Sequence, residues 1–313
     1  MPKNKTICIF CGANTGNSET IIAQTESLLQ LLINLDFDLV YGGGKSGLMG
    51  IIADRFLESG KKVVGIRPSK LIEDEDAHTS LTELIVVKDM FERKAEMMKR
   101  ADFFIALPGG VGTLDEIMDV YTNVKIGFTD KFCALLDVDG FYRGLTDQFS
   151  KMVEKSFLKA KDQDLLVVGN PEQLASKIEE RLNEIDKVAF IEIKDKKILT
   201  ARSQGKDKFY IPGGKRDNNE TDPETLEREV REELSVSIRP DTIKNIGVFR
   251  AQAHGKPEGI KVRMACYSAE YTGSLTPASE IEEIKWMTTA DQELVSHVDK
   301  VIFRYLHEKG EIE

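Results

Sequence analysis

The chain has 313 residues, with 41% apolar and 31% charged side chains, which fits about two globular domains rather than a disordered polymer. Its formal net charge of -10 argues against a general nucleic-acid binder, because phosphate backbones attract Lys and Arg. No apolar run is long enough for a membrane span, no signal-like segment precedes the first strand, and cysteines are few, so a cytoplasmic location and no membrane partner are expected.

Residues 6–10 read as a buried strand that ends at the loop 11–17, and 21–35 carry helical apolar spacing. A short strand at 38–41 runs into Gly42-Gly43-Gly44, followed by a helix at 48–59. Strands are expected at 62–66, 83–87, 103–107 and 132–137, with helices at 91–100, 114–124, 145–154 and 171–185. Several of these strands are apolar on both faces, as in a parallel sheet covered by helices on both sides. The first half is therefore expected to be a doubly wound, Rossmann-like α/β domain. The pattern changes near Asp186, where the domain boundary is placed, giving domains 1–186 and 187–313. Beyond it, 188–193 and 197–201 read as two strands around a turn at 194–196. A helix follows at 223–234, then strands at 243–249, 261–271 and 284–287, and a helix at 291–307, a mixed α+β unit. Cys8 and Cys11 form a C-x-x-C without a second metal-type pair, which favours a structural role over a redox or metal one.

Two glycine loops follow strands. In Leu107-Pro108-Gly109-Gly110-Val111-Gly112-Thr113, an apolar strand ends in Pro-Gly-Gly and a helix is expected from about Thr113. Free N–H groups at such a helix start attract a phosphate, and Glu116 lies on the first turn beside it. The alternative is a tight turn with Thr113 as N-cap. The second loop, residues 42–50, has neither the P-loop order nor G-x-G-x-x-G, so P-loop ATP hydrolysis is not expected. The third piece, Glu92-Arg93-Lys94, is by itself only a charged helix face.

Together, Pro108-Gly109-Gly110-x-Gly112-Thr113-x-x-Glu116, Glu92-Arg93-Lys94, Cys8-x-Phe10-Cys11-Gly12 and the loop 42–50 resemble the LOG (Lonely Guy) family over roughly residues 6–182. The resemblance implies cleavage of the N-glycosidic bond of a nucleoside 5′-monophosphate, without a cofactor, to free base and ribose 5-phosphate. It implies catalytic roles for Arg93 and Glu116. Substrate contacts are implied from Gly43, Gly44, Glu75, Lys94, Gly109, Gly110, Gly112, Thr113 and Thr122, and a homodimer through this domain is expected. Phe91 stands where the family commonly has His before E-R-K. Some relatives carry an older lysine decarboxylase label, but no pyridoxal-phosphate lysine context is present.

In the second half, Gly214-x5-Glu220-x7-Arg228-Glu229-Val230-x-Glu232-Glu233-x-Ser235-Val236 resembles the Nudix box, with Ser235 in place of the last glycine. Glu229, Glu232 and Glu233 are spaced i, i+3 and i+4, so they share one helix face and suit a hard divalent cation, Mg²⁺ or Mn²⁺. The alternative for three glutamates alone is a solvated acidic face. The resemblance implies an α/β/α sandwich that hydrolyses a nucleoside diphosphate linked to another moiety, with Gly214, Glu220 and Arg228 supporting the box. Phe209 and Tyr210 are candidates for pocket or core, and Glu280, Glu282 or Glu283 for a further base or ligand. The two implied activities share a monophosphate as product and substrate. The partners expected are small-molecule nucleotides. A rival reading makes the first half a nucleotide-binding sensor that regulates the second.

Overall fold

The structure, a computed structural model, describes residues 5–74, 77–159, 165–217 and 220–313. The chain forms two compact units, Met1–Glu179 and Glu180–Glu313.

In the first unit, seven strands form one sheet: β1 (Thr6–Phe10), β2 (Asp38–Tyr41), β3 (Val63–Pro68), β4 (Glu83–Val87), β5 (Phe103–Ala106), β6 (Phe132–Leu136) and β7 (Leu166–Val168). Their order is β4-β3-β2-β1-β5-β6-β7, and every pairing is parallel. The helices are α1 (Glu19–Asn34), α2 (Gly47–Glu58), α3 (Ser69–Asp74), α4 (Met90–Arg100), α5 (Val111–Lys125), α6 (Arg143–Glu154) and α7 (Pro171–Leu182). Met97 and Ala101, at the end of α4, and Ile117 and Val120 of α5 pack over Cys8, Phe10 and Phe104 in one core, while Ile7 and Ile9 are equally buried on the opposite face of β1. Burial on both faces is why β1 reads as an unbroken apolar run. Strand order reverses between β1 and β5, so the loops after these two strands diverge and leave a crevice at their carboxyl ends. The doubly wound expectation is borne out. The short α3 and β7 were not foreseen.

The second unit contains β8 (Ile185–Phe190), β9 (Ile193–Lys194), β10 (Lys197–Ser203), α8 (Asp222–Leu234), β11 (Ser237–Ile238), β12 (Lys244–Gln252), β13 (Lys261–Ser268), β14 (Tyr271–Thr272), β15 (Ile281–Met287) and α9 (His297–Glu308). One sheet runs β12-β13-β8, a second β15-β10-β9, and β11 pairs with β14. Val188 and Phe190 face a core shared with Leu226, Val230 and Leu234 of α8. Ala189 faces another core with Ile302, Phe303 and Leu306 of α9. The sheets thus lie between the two helices.

Two expected elements are corrected. The strand expected at 188–193 is split: residues 188–190 belong to β8, which is parallel to β13, whereas Ile193 belongs to β9, which forms the expected hairpin with β10 around Asp195 and Lys196 at φ 50 and 60°. The helix expected over 291–307 is broken into a 3₁₀ turn at Thr289–Leu294 and α9. Ser296 starts α9 by accepting from the Asp299 N–H, and the Phe209 N–H takes the Leu294 carbonyl.

Candidate active sites of the two units

The crevice between β1 and β5 opens into a cavity of about 510 Å³, lined by Cys11–Asn17, Gly42, Met49, Arg93, Gly109, Gly110, Gly112, Thr113, Glu116 and Phe141 among others. Helix α5 begins earlier than expected. Its N-cap is Gly110, so Thr113 is a buried residue of the first turn and not the cap. The amides that open α5 therefore border the cavity, a setting for an anion. Gly109 is required sterically, because a Cβ there would stand 2.2 Å from the Thr113 hydroxyl and 2.9 Å from the Gly12 nitrogen.

Glu116 is 7% exposed, and its Oε1 lies 3.2 Å from Arg93 Nη1. This contact has ion-pair distance without hydrogen-bond geometry, so Oε1 has no hydrogen-bond donor among the described residues. Burial pushes the Glu116 carboxyl above its ordinary range, and the Arg93 guanidinium opposes that shift. Arg93 is fixed by donating from Nε to the Ile66 carbonyl at 3.0 Å. Gly42 makes room for it, since a Cβ at 42 would stand 2.3 Å from Arg93 Nη2. A buried acid with an unpartnered oxygen, beside a fixed cation and a helix start, is a site that can take a phosphorylated sugar.

Not every expected contact converges. Gly43 and Gly44 are absent from the cavity wall and pack against Arg67 and Met49. Lys94 is turned about one residue's rotation from Arg93 and pairs with Asp115 at 3.0 Å outside the cavity. Thr122 is exposed, its hydroxyl donating to the Met118 carbonyl. Glu75 lies outside the described residues. Cys8 and Cys11 are buried, and burial pushes both thiols well up, which suits inert packing residues. Phe141, in the segment 135–142 that also fits the LOG pattern, lines the cavity, as do the loop residues Asn14 and Asn17, which only the position of β1 at the strand reversal flags.

The second unit has a cavity of about 480 Å³, bordered by Gly213, Gly214, Lys215, Glu229, Glu233, Glu280, Lys187, Tyr210 and His254. Thr221 caps α8 with a reciprocal capping box to Glu224. Arg228 holds the preceding loop by donating to both Glu220 oxygens at 2.8 Å and to the Lys215 carbonyl. That grip holds the Glu220 carboxyl down at about 2. Glu233 is buried, accepts from the Gly213 N–H at 2.8 Å, and is pushed up to about 8 by burial and then by Glu229 and Glu280. Glu229 is raised by burial and then by Glu232 and Glu280, against the pull of Arg228, and a Cβ on Gly214 would collide with its carboxylate at 2.2 Å.

Crowded, half-buried carboxylates held above their ordinary range are a donor set that a hard divalent cation relieves, so the residues fit one. Among the described residues no three such side chains already stand as a closed centre. Glu232, expected to join Glu229 and Glu233, does not border the cavity and lies 3.5 Å from Arg228 Nη1. Of the three further acids, only Glu280 faces the site, whereas Glu282 and Glu283 pair with Arg202. Loop 274–280 brings Glu280 there by docking on the end of α8, where Thr276 N–H and Ala278 N–H donate to the carbonyls of Leu234 and Glu233. Tyr210 borders the cavity and Phe209 belongs to the core.

Residues 49–178 match the family described as "Possible lysine decarboxylase", and residues 185–305 match the NUDIX domain. The cytokinin riboside 5′-monophosphate phosphoribohydrolase LOG1 of Arabidopsis thaliana is 39% identical over 188 residues, which cover 60% of this chain and 88% of that protein. LOG5 of the same plant, with the same described activity, is 40% identical over 176 residues, 56% of this chain and 77% of its own. Among solved structures, the solution structure of the E. coli ORF135 protein aligns at 22% identity and TM-score 0.33, covering 40% of this chain and 89% of that one. The chain belongs to the LOG family through its first unit and carries a Nudix domain in its second, and both families are hydrolases.

Proposed function

We propose that the chain is a bifunctional nucleotide hydrolase with functional domains at 1–186 and 187–313. The first cleaves the N-glycosidic bond of a nucleoside 5′-monophosphate to free base and ribose 5-phosphate. The observation that carries this is the pairing of buried Glu116 with the part-buried Arg93 beside the open start of α5. The amides from Gly110 onward bind the 5′-phosphate. Glu116 takes ribose hydroxyls or water on its unpartnered oxygen and opposes the positive charge that develops on the sugar. Arg93 stays protonated, so it assists departure of the base by charge and hydrogen bonding, not as a proton donor.

The second domain hydrolyses a nucleoside diphosphate linked to another moiety, leaving a monophosphate. Glu229, Glu233 and Glu280, with Glu232 after release from Arg228, would hold Mg²⁺ or Mn²⁺. A bound divalent cation there neutralises diphosphate charge and lowers the pKa of water. Among the described residues no helix is long and apolar enough to cross a membrane, and a cytoplasmic setting is part of the proposal. A homodimer through the first domain is supported by exposed Phe91, Val111 and Phe128, at 83, 84 and 80% exposure. Light scattering checks it, and Phe91→Asp with Val111→Asp is expected to yield monomers.

The test of function is product analysis on nucleoside mono-, di- and triphosphates and ADP-ribose, with and without Mg²⁺. Free base from a monophosphate, lost in Glu116→Ala and kept in Glu233→Gln, is expected. Intact monophosphates throughout would overturn the glycosidase and favour the sensor reading.

A further inference from the structure

One face of β8 and β13 carries Ile185, Lys187, Val262 and Met264 at the cavity and continues through Ala189 and Cys266 into the core, by strand alternation and by the register that pairs Ile185 with Val262 and Lys187 with Met264. Lys187 is the one charged residue in that set. A lysine on an otherwise apolar sheet face is costly unless its ammonium has a use. Among the described residues no hydrogen bond or ion pair holds it. Glu233 and Glu280 border the same cavity, and the positive charge of Lys187 favours their ionised forms. Asp299, fully buried, accepts from the Ile211 N–H and the Ser296 hydroxyl behind the wall.

We propose that Lys187 is a substrate-binding cation of the Nudix unit. Its ammonium takes a non-bridging oxygen of the bound diphosphate from the sheet side of the cavity, and the apolar strip Ile185–Val262–Met264 seats the group attached beyond that phosphate. This rests on the Nudix reading above. Lys206, Lys215 and Lys256 also border the cavity, and on the β8–β13 face Lys187 is the cation placed to meet the diphosphate opposite the carboxylates. The flanking strip offers flat apolar contact and no hydrogen-bonding side chain, as a heterocycle face requires. His254 stands at the same cavity, with Nδ1 bonded to the Tyr210 hydroxyl at 2.9 Å and Nε2 3.9 Å from the Asp207 carboxylate.

The test compares the full-length wild type with Lys187→Met and Lys187→Arg. The substrate is whichever of ADP-ribose and the nucleoside di- and triphosphates the wild type cleaves fastest, titrated against Mg²⁺. Methionine matches the apolar face, so the fold is expected to hold, checked by the thermal midpoint. Lys187→Met should raise KM by about tenfold or more. It should also lower the Mg²⁺ concentration for half activation, because a cation leaves the carboxylates. Lys187→Arg should recover most of KM. A Lys187→Met enzyme with KM within about twofold of wild type overturns the proposal. So does Lys187→Arg behaving as Lys187→Met at an unchanged thermal midpoint, which would assign the position to packing. Should the wild type cleave none of the panel, the Nudix reading itself fails. Lys187 is then judged on calorimetric binding of α,β-methylene ADP with Mg²⁺, where an unchanged Kd in Lys187→Met overturns it.

Discussion

Glu116 and Glu233 are both buried acids at a cavity wall, yet their neighbours set them to different tasks. Glu116 has Arg93 beside it, which favours the ionised form against burial. We expect Glu116→Gln to keep the fold, with an unlowered thermal midpoint, and to cut kcat for base release by about 10²–10³. Steady-state kinetics on the best monophosphate check it, and a loss confined to KM would contradict it. Glu233 has other acids beside it and is pushed up to about 8 from an ordinary 4.5. Without metal, the folded protein then keeps a proton that the unfolded chain has already lost between these values. Stability should fall as pH rises through that window and level off above it. Asp299, raised to about 6, adds to the lower part of the slope. Thermal melts in EDTA from pH 5 to 8 should show the decline, and Glu233→Gln should flatten it. With Mg²⁺ the slope should shrink, because a cation favours the ionised carboxylate.

At the level of elements, the end of α8 carries a testable compromise. Ser235 takes the left-handed conformation, φ 59°, where the Nudix box has glycine, and still caps the helix by donating to the Arg231 carbonyl. Ser235→Gly relieves the Cβ crowding of that conformation and should stabilise the second unit by about 1 kcal/mol, read as a midpoint a few degrees higher. The strands and helices of the first unit could be read from the sequence because a doubly buried parallel strand is apolar throughout, as in β1 and β5. The start of α5 was misplaced because Gly110, not Thr113, caps it, and glycine gives no capping signal as clear as threonine's. Partnering of β8 was misjudged because its nearest neighbour in sequence, β9, lies in another sheet. Glu116 could be named from its place on the first turn after the glycine loop and Glu229 and Glu233 from their helix spacing, whereas Arg93 could be named only through the LOG resemblance. Lys187, His254 and Glu280 could not be placed, since only the β8–β13 register and a loop docked on a helix end bring them to the same cavity.

For the whole molecule, the two chemistries suggest a sequence of steps, in which a diphosphate is trimmed to a monophosphate and the base is then released. Full-length Glu116→Ala should therefore accumulate the monophosphate from a diphosphate substrate. Full-length Glu233→Gln should release base from the monophosphate but leave the diphosphate intact. Wild type should carry the diphosphate through to free base, followed by chromatography over time. If the monophosphate made by one activity carries a base that the other refuses, the two activities are not consecutive.

The fit of Gly42 against Arg93 offers a practical handle. An alanine there would displace the tip of Arg93 and press on the Met49 sulfur, 3.1 Å away, while touching none of the turn at Gly109, the start of α5 or Glu116. Such a protein should still bind a nucleotide by its phosphate while turning it over slowly. Gly42→Ala is thus a substrate trap, suited to fishing the physiological nucleotide out of a metabolite extract and identifying it by mass.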